Sequence, residues 1–314
     1  MPNWNDVLRE IHTFQSDHAL QSQQSVDIVR RKYLQALYTY TGRNVIAYYS
    51  GFLSKPDINS EINDEDKNGI LMAVHQLDRS KGLDLVLHTP GGGIAATHSI
   101  VDYLRQMFGK DIRAVVPQIA MSAGTIIACS CKKILMAKHS NLGPIDPHLR
   151  GIPENGVLLE FKRACEEVKD DKSKIPIWQS IIGQYRPTFL SQCENAINWS
   201  NEFVEEQLTA VMFEAKSDAN KKAKSIVENL SSYDKNKTHN RHIHFQECLD
   251  MGLDVDLIEN DPKLQDLVLT VHHCYMHSLM NTPSFKMIEN HLGLAFVKQQ
   301  AVIMQRQAQI LPAG

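Results

Sequence analysis

Short apolar runs alternate with amphipathic segments along the first half of the chain. The apolar runs predict buried strands and cover residues 44–49, 83–87, 112–116 and 134–137. Between them, apolar residues recur at helical spacing over residues 64–77, 94–108 and 122–129. Strand–helix–strand repeats with short connections imply a parallel sheet covered by helices, so we expect an α/β fold.

The flanking regions have a more helical pattern. Residues 1–42 predict helix, with Gly42 as a C-cap, and helical patterns recur over residues 157–230. A helix near residues 244–250, a short strand near Val255 and two closing helices up to about residue 300 are expected to follow. The predicted division is an N-terminal helical extension, a core domain with a helical insertion over residues 157–230, and a C-terminal helical segment; these parts span residues 1–42, 43–260 and 261–314.

Composition limits the class of protein. The 314 residues are 43% hydrophobic and 22% charged, as in ordinary globular proteins, and the net charge of −3 gives no basic surface for nucleic acid. Six cysteines are too dilute for a disulfide framework and favour a reducing compartment. The N-terminus lacks a signal-peptide pattern, and no apolar run approaches the roughly 20 residues of a membrane span. We therefore expect a cytoplasmic protein without a membrane span.

Two strands end in small residues that open helices, and this pattern carries the candidate chemistry. The strand over residues 83–87 leads into Thr-Pro-Gly-Gly-Gly, and the strand over residues 112–116 leads into Met-Ser-Ala-Gly-Thr. Ser122 in the second turn is a candidate nucleophile, and the backbone N–H groups of Gly92 and Ala123 are candidate oxyanion-hole donors. The alternative interpretation is that Ser122 only caps its helix.

The order of these motifs resembles the ClpP/crotonase superfamily. Within it the chain is most similar to the serine dehydrogenase proteinase family, which is related to the Clp protease proteolytic subunit and to signal peptide peptidase A. The matching segments are Asn-Val-Ile-Ala-Tyr-Tyr-Ser at 44–50, Leu-His-Thr-Pro-Gly-Gly-Gly at 87–93, Met-Ser-Ala-Gly-Thr at 121–125, Leu-Gly-Pro-Ile-Asp-Pro at 142–147 and the segment 238–253. The resemblance implies a stacked, ClpP/crotonase-like parallel sheet with flanking helices, extra terminal helices and a catalytic domain over residues 43–260.

The same resemblance implies a catalytic triad in the order Ser, Asp, His. Ser122 would be the nucleophile, His239 the general base and Asp146 the carboxylate that orients the imidazole. Asp146 also fits ordinary turn chemistry, because it stands in Pro-Ile-Asp-Pro. His148 is the alternative base, since it follows Ser122 at nearly the spacing of the Clp-type histidine.

Other candidate bases and metal ligands are less favoured. A Ser–Lys dyad would need Lys162, Lys169 or Lys174, whose surroundings predict a solvated charged face. His88 is expected to end a strand. Two histidine-rich clusters lack zinc-site spacing, so no metal is predicted; they are His239, His242, His244 with Cys248, and His272, His273, Cys274 with His277. Nucleotide-binding glycine motifs are absent, and we predict no cofactor.

The leading hypothesis is a serine peptidase that acts on peptides or unfolded proteins. The resemblance also implies a homo-oligomer, with amphipathic segments over residues 8–40 and 262–300 as candidate interfaces; whether a partner ATPase is needed stays open. Two alternatives are a catalytically inactive oligomeric scaffold or binding module of the same fold, and a crotonase-type acyl-CoA enzyme. The second alternative would use the oxyanion hole for a thioester enolate and would not need Ser122 as nucleophile.

Overall fold

The structure is a computed structural model that describes residues 3–19, 22–149 and 151–300. Its strands are β1 (Asn44–Ser50), β2 (Leu83–His88), β3 (Ile112–Val116), β4 (Ile119–Ala120), β5 (Lys133–Met136), β6 (Asn141–Leu142), β7 (His148–Leu149), β8 (Ile152–Pro153), β9 (Ile243–His244), β10 (Val255–Leu257), β11 (Ser284–Asn290) and β12 (Ala295–Gln299). Seven of them form the main sheet in the order β10-β5-β3-β2-β1-β11-β12. The strands from β10 to β1 are parallel, and β11 and β12 add an antiparallel edge.

Helices cover both faces of this sheet. They are α1 (Trp4–His18), α2 (Ser22–Thr41), α3 (Asp66–Val74), α4 (Ile94–Phe108), α5 (Ala123–Cys129), α6 (Glu154–Asp170), α7 (Ile175–Ile182), α8 (Phe189–Gln207), α9 (Ala219–Ser231), α10 (Tyr233–Asn236), α11 (Phe245–Met251) and α12 (Pro262–Asn281). Side chains alternate along β1: Ile46 packs in the core with α3, α4 and α5, and Ala47 packs in the core with α2 and α12. Burial on both faces explains the continuous apolar runs, and the predicted α/β class with a mostly parallel sheet is confirmed.

A second, three-stranded sheet brings three distant segments together. β4 and β6 are parallel, and β9 pairs antiparallel with β6. The chain therefore leaves β4 and β6 at the same edge at which it enters β9. The residues that follow β4 and β6, and those that precede β9, are the ones that carry Ser122, Asp146 and His239.

The helical pattern over residues 157–230 is present as α6 to α9, although α6 already begins at Glu154. Phe203 and Val204 of α8 and Ile226 of α9 are buried against the helices on the α5 side of the sheet. The N-terminal helical pattern is present as α1 and α2, and Gly42 ends α2 with its N–H donated to the Tyr38 carbonyl at 2.8 Å. The domain boundaries stay a prediction.

One part of the C-terminal prediction is wrong. Only the first of the two closing helices is present, as α12; the second is replaced by the hairpin of β11 and β12. Lys286 and Glu289 in β11 are fully buried, because Lys286 pairs with Asp66 at 2.7 Å and Glu289 pairs with Arg30 at 2.7 Å. These charged residues broke the apolar run that would have indicated a buried strand. Residues 301–314 of the predicted C-terminal segment lie outside the described residues.

In the part of the chain that the structure describes, no helix combines sufficient length with sufficient apolar character to cross a bilayer.

Candidate active site

Ser122 stands on a strained turn between β4 and α5. Its φ is 52° and its ψ is −117°, a conformation that residues other than glycine rarely adopt. The turn is held on both sides, since Thr125 Oγ1 donates to the Ala120 carbonyl at 2.8 Å and the Gly124 N–H donates to the Met121 carbonyl at 2.7 Å. A strained strand-to-helix turn that presents a serine is the arrangement found for hydrolase nucleophiles.

The glycine turn after β2 lies directly against Ser122. A Cβ on Gly91 would come within 2.6 Å of the Ser122 Cβ, and a Cβ on Gly92 would come within 2.3 Å of the Ile62 backbone nitrogen. Gly91 and Gly92 have φ values of 103° and 152°. Only glycine fits this conformation and this space, which explains the Gly-Gly pair.

Two backbone N–H groups at this junction are available to a ligand. Ile62 bonds to the Gly91 carbonyl at 2.7 Å and accepts from the Gly93 N–H at 2.9 Å, so the intervening Gly92 N–H points away from Ile62. Ala123 is the first residue of α5, where the helix offers its N–H no internal acceptor. Within the described residues, neither N–H has an acceptor.

Asp146 is brought to the same edge by the turn that follows β6. The Gly143 N–H donates to Thr125 Oγ1 at 2.9 Å, which fixes this turn to α5, and the Ile145 N–H donates to the Leu230 carbonyl at 3.1 Å. The Asp146 side chain is only 3% exposed. Its two carboxylate oxygens face two histidines: Oδ1 lies 2.9 Å from His239 Nδ1, and Oδ2 lies 3.1 Å from His148 Nε2.

The two histidines keep this carboxylate ionised. Burial alone would raise the pKa of Asp146, but the hydrogen bonds from His148 and His239 outweigh it and hold that pKa below its ordinary value. Because an ionised carboxylate only accepts, both ring nitrogens donate to it. The His148 and His239 rings are also close to one another, with centroids 4.0 Å apart and ring planes tilted by 34°.

The sequence treated His148 and His239 as rivals, and the structure places both on Asp146. His148 occupies β7, two residues beyond Asp146, and His239 lies in the loop before β9. The Asp-Pro-His spacing was visible in the sequence, but the turn that points both side chains to one place was not. Ser122 Oγ, in contrast, has no hydrogen-bond partner within residues 3–19, 22–149 and 151–300.

A further carboxyl group, missed by the sequence reasoning, lies beside His148. Glu154 at the start of α6 is 4% exposed, and its Oε2 atom has no partner among the described residues. Burial raises the pKa of Glu154 to about 7, against the opposing charge of His148. The sequence carried no signal for this burial, because polar residues at the start of a helix are usually exposed.

The remaining candidates lie elsewhere or are held structurally. Lys162 and Lys169 are exposed on α6, and Lys174 pairs with Glu167 at 3.4 Å, as a solvated charged face predicts. His88 ends β2 as predicted, where it is fully buried, and burial lowers its pKa to about 3.

The histidine clusters considered in the sequence are not gathered around a common point. His242 and His244 are exposed, and His277 donates its Nε2–H to the Trp4 carbonyl at 3.1 Å. In the described part of the chain, the group whose geometry could hold a metal ion is instead Asp146, His148 and His239.

Comparison with known proteins decides the family. The ClpP-like SDH-type serine proteinase family matches residues 19–291, which is most of the chain. The chain belongs to this family. The resemblance seen in the sequence is thereby confirmed.

The chain is also similar to two uncharacterized proteins of Methanocaldococcus jannaschii. One is 31% identical over 61% of this chain and 59% of its own length, and the other is 29% identical over 65% of this chain and 62% of its own length. The chain thus spans about three fifths of the length of these curated relatives.

Among solved structures, the chain is similar to two variants of a membrane-bound stomatin-specific protease. The variant in complex with a substrate peptide has a TM-score of 0.39 and 18% identity, covering 65% of this chain and 74% of that one. The other has a TM-score of 0.37 and 17% identity, covering 66% of this chain and 79% of that one.

Proposed function

We propose that this protein hydrolyses peptide bonds through a Ser122–His239–Asp146 triad. The observation that carries the proposal is the 2.9 Å contact of His239 Nδ1 with Asp146 Oδ1, at the sheet edge where Ser122 stands on its strained turn. Membership in a serine proteinase family supports the same reaction class. The proposal therefore assigns a role to each of three residues that lie far apart in the sequence.

The nitrogen that faces Asp146 favours His239 over His148 as the base. In a Ser-His-Asp triad the carboxylate holds Nδ1–H, so that Nε2 is free to take the serine proton. His239 has this orientation, whereas His148 faces Asp146 through Nε2. We assign His148 to positioning Asp146 from its other oxygen.

The reaction follows from these roles. Ser122 Oγ adds to the scissile carbonyl while its proton moves to His239 Nε2, and the Gly92 and Ala123 N–H groups stabilise the oxyanion. Each such donor contributes roughly 3 kcal/mol to the transition state. Collapse of the intermediate breaks the C–N bond, and His239 returns the proton to the leaving amine. Water then hydrolyses the acyl-enzyme by the same path.

Ser122 and His239 must approach one another for this reaction. Ser122 Oγ has no hydrogen-bond partner in the described part of the chain, and His239 precedes β9 in a loop. Catalytic hydrogen bonds often shorten only when substrate binds. We therefore propose that a bound substrate brings His239 Nε2 within reach of Ser122.

Substrate, assembly and location belong to the same proposal. The substrates would be peptides or unfolded chains, and the protein would act as a homo-oligomer, as the superfamily resemblance implies. A cytoplasmic location is supported by the cysteines, since all six are free and five of them are buried.

Degradation of a fluorescently labelled, unfolded casein tests the proposal. Wild-type protein should release fluorescent peptides, and Ser122→Ala should release none while keeping its fold by circular dichroism. Equal release by both proteins would contradict the proposal. Saturable coenzyme A binding without peptide release would favour the acyl-CoA alternative, and neither activity would favour the scaffold.

A further inference from the structure

Asp146, His148 and His239 have the composition of a transition-metal site. Each offers one ligand atom, and these atoms lie within 4.8 Å of one another. Two imidazoles and a carboxylate are ligands that Zn²⁺ accepts, and three protein ligands with one open position are typical of a reactive zinc site. Mg²⁺ prefers oxygen ligands and is disfavoured here.

A second observation at the same place points to a cation. The Glu154 side chain is buried beside His148, and its Oε2 atom has no partner among the described residues. A buried carboxyl oxygen without a donor is costly, and a nearby cation offsets that cost. Glu154 is not one of the three ligands, but it adds a second carboxyl side chain beside His148.

Solvent reaches these residues through an open cleft. The cleft has a volume of about 390 Å³, and His148, Gly151, Pro153 and His239 line it. The side chains of His148 and His239 are 23% and 20% exposed, whereas Asp146 is 3% exposed. An ion can therefore enter from the histidine side and meet the carboxylate behind.

We propose that Asp146, His148 and His239 bind a Zn²⁺ ion, and that the bound ion switches off the peptidase. The binding part stands on the geometry alone, whereas the switch rests on the proposed function. This assigns a metal to a site for which the sequence predicted none.

The switch follows from where the imidazole proton sits. Without metal, His239 carries its proton on Nδ1, facing Asp146, and Nε2 is free. Coordination through Nδ1 needs that lone pair, so the proton leaves Nδ1 and a solvent proton is taken up at Nε2. The ring stays neutral and the charge balances. His239 Nε2–H can then no longer accept the proton of Ser122.

Binding is tested by titrating the full chain with ZnCl₂ against a chromophoric zinc chelator. Wild type should bind one ion, and His148→Ala, His239→Ala and Asp146→Ala should each weaken binding by more than about 100-fold, beyond the loss expected for an outer partner. His242→Ala is the matched control, because His242 is an exposed histidine outside the cluster. MgCl₂ should not compete.

Several outcomes would overturn the site. One is that wild type binds zinc no more tightly than the three variants. Another is that His242→Ala loses as much zinc affinity as those variants do. Circular dichroism and the urea midpoint of each variant show whether it is folded. If a variant is unfolded, Asp146→Asn is measured in its place. Zinc binding as tight as that of wild type in the folded variants would overturn the site.

The switch is tested separately, with a fluorophosphonate probe on wild type. ZnCl₂ should suppress labelling by at least tenfold, and EDTA should restore it. Tight binding with unchanged labelling would overturn the switch and leave the metal site standing. Absence of labelling without zinc would overturn the proposed function and the switch together, while the chelator titration still decides the site.

Discussion

His239 donates its Nδ1–H to Asp146 Oδ1 at 2.9 Å, although 93 positions separate the two residues in the chain. The contact exists because β6 and β9 pair antiparallel, which brings the end of one segment to the start of the other. His148 occupies the second oxygen of the same carboxylate at 3.1 Å. Asp146 is thus the centre of the site, and its charge depends on both imidazoles.

Asp146→Asn should abolish this arrangement while it preserves volume. The amide cannot accept from both histidines, because one of its two polar atoms is a donor. We expect phosphonylation of Ser122 by a fluorophosphonate to slow by roughly 10³- to 10⁴-fold, with His239 held in the wrong tautomer. Asp102→Asn, at an exposed position on α4, should label at the wild-type rate. Equal rates for Asp146→Asn and wild type would remove Asp146 from the mechanism.

Gly92→Ala should damage the oxyanion hole. The added Cβ would lie 2.3 Å from the Ile62 backbone nitrogen at a φ of 152°, so the turn must shift and take the Gly92 N–H with it. Loss of one oxyanion-hole donor should slow the modification of Ser122 by a fluorophosphonate by roughly 10²- to 10³-fold. The matched control is Gly93→Ala, whose Cβ would meet only the Ile62 carbonyl at 3.6 Å, with φ at −67°. Similar rates for the two variants would show that Gly92 supplies no catalytic N–H.

Ser122→Gly should be more stable than Ser122→Ala. The turn imposes φ of 52° and ψ of −117°, which alanine tolerates poorly and glycine tolerates well. Relief of one such conformation is worth roughly 1–3 kcal/mol, less the added entropy of the unfolded glycine chain. Urea denaturation of the two inactive variants measures the difference. A higher midpoint for Ser122→Ala would mean that the turn is not strained.

Stability should fall as the pH drops below about 6.5, because His88 resists protonation in the folded state. Burial lowers its pKa to about 3, whereas the unfolded chain takes up the proton near the ordinary value of 6.5. Between these pH values the unfolded state binds more protons than the folded state. Each unit by which the pH falls therefore lowers the free energy of unfolding by up to about 1.4 kcal/mol for this group. The buried His272, whose pKa burial also lowers, acts in the same direction.

His88→Leu should make that decline shallower. The ring packs against Tyr49, Phe52 and His272, and in the described structure neither of its nitrogens has a partner, so an apolar side chain fits the site. Urea midpoints between pH 4 and pH 7 compare it with His75→Leu, a change at an exposed position. An unchanged slope for His88→Leu would show that His88 titrates normally.

The local parts of the site could be read from the sequence, and the long-range parts could not. Ser122 and Gly92 follow directly from apolar runs that end in small residues, since each turn is defined by its own neighbours. The pairing of Asp146 with His239 came from family resemblance. Hydrophobic periodicity does not reveal which residues of β6 and β9 pair, and the contact between Asp146 and His239 depends on that register. His148 was therefore taken as a rival of His239 when both face one carboxylate.

The same reasoning explains the missed hairpin. Lys286 donates to both oxygens of the buried Asp66 and to the carbonyl of Glu61, the residue that precedes Ile62 and the glycine turn it contacts. Burial lowers the pKa of Lys286, against the raising effect of the Asp66 charge. Because fully buried lysines are rare, the lysine at position 286 indicated a surface residue and not a buried strand. Partners distant in sequence made that strand possible.

The most direct test of the central claim is the rate at which a fluorophosphonate modifies Ser122, with the labelled peptide located by mass spectrometry. Wild type should be labelled at Ser122, Ser122→Ala should not be labelled, and His239→Ala should be slowed far more than the exposed control His242→Ala. Labelling at another residue, or His239→Ala labelled as fast as wild type, would contradict the proposed triad.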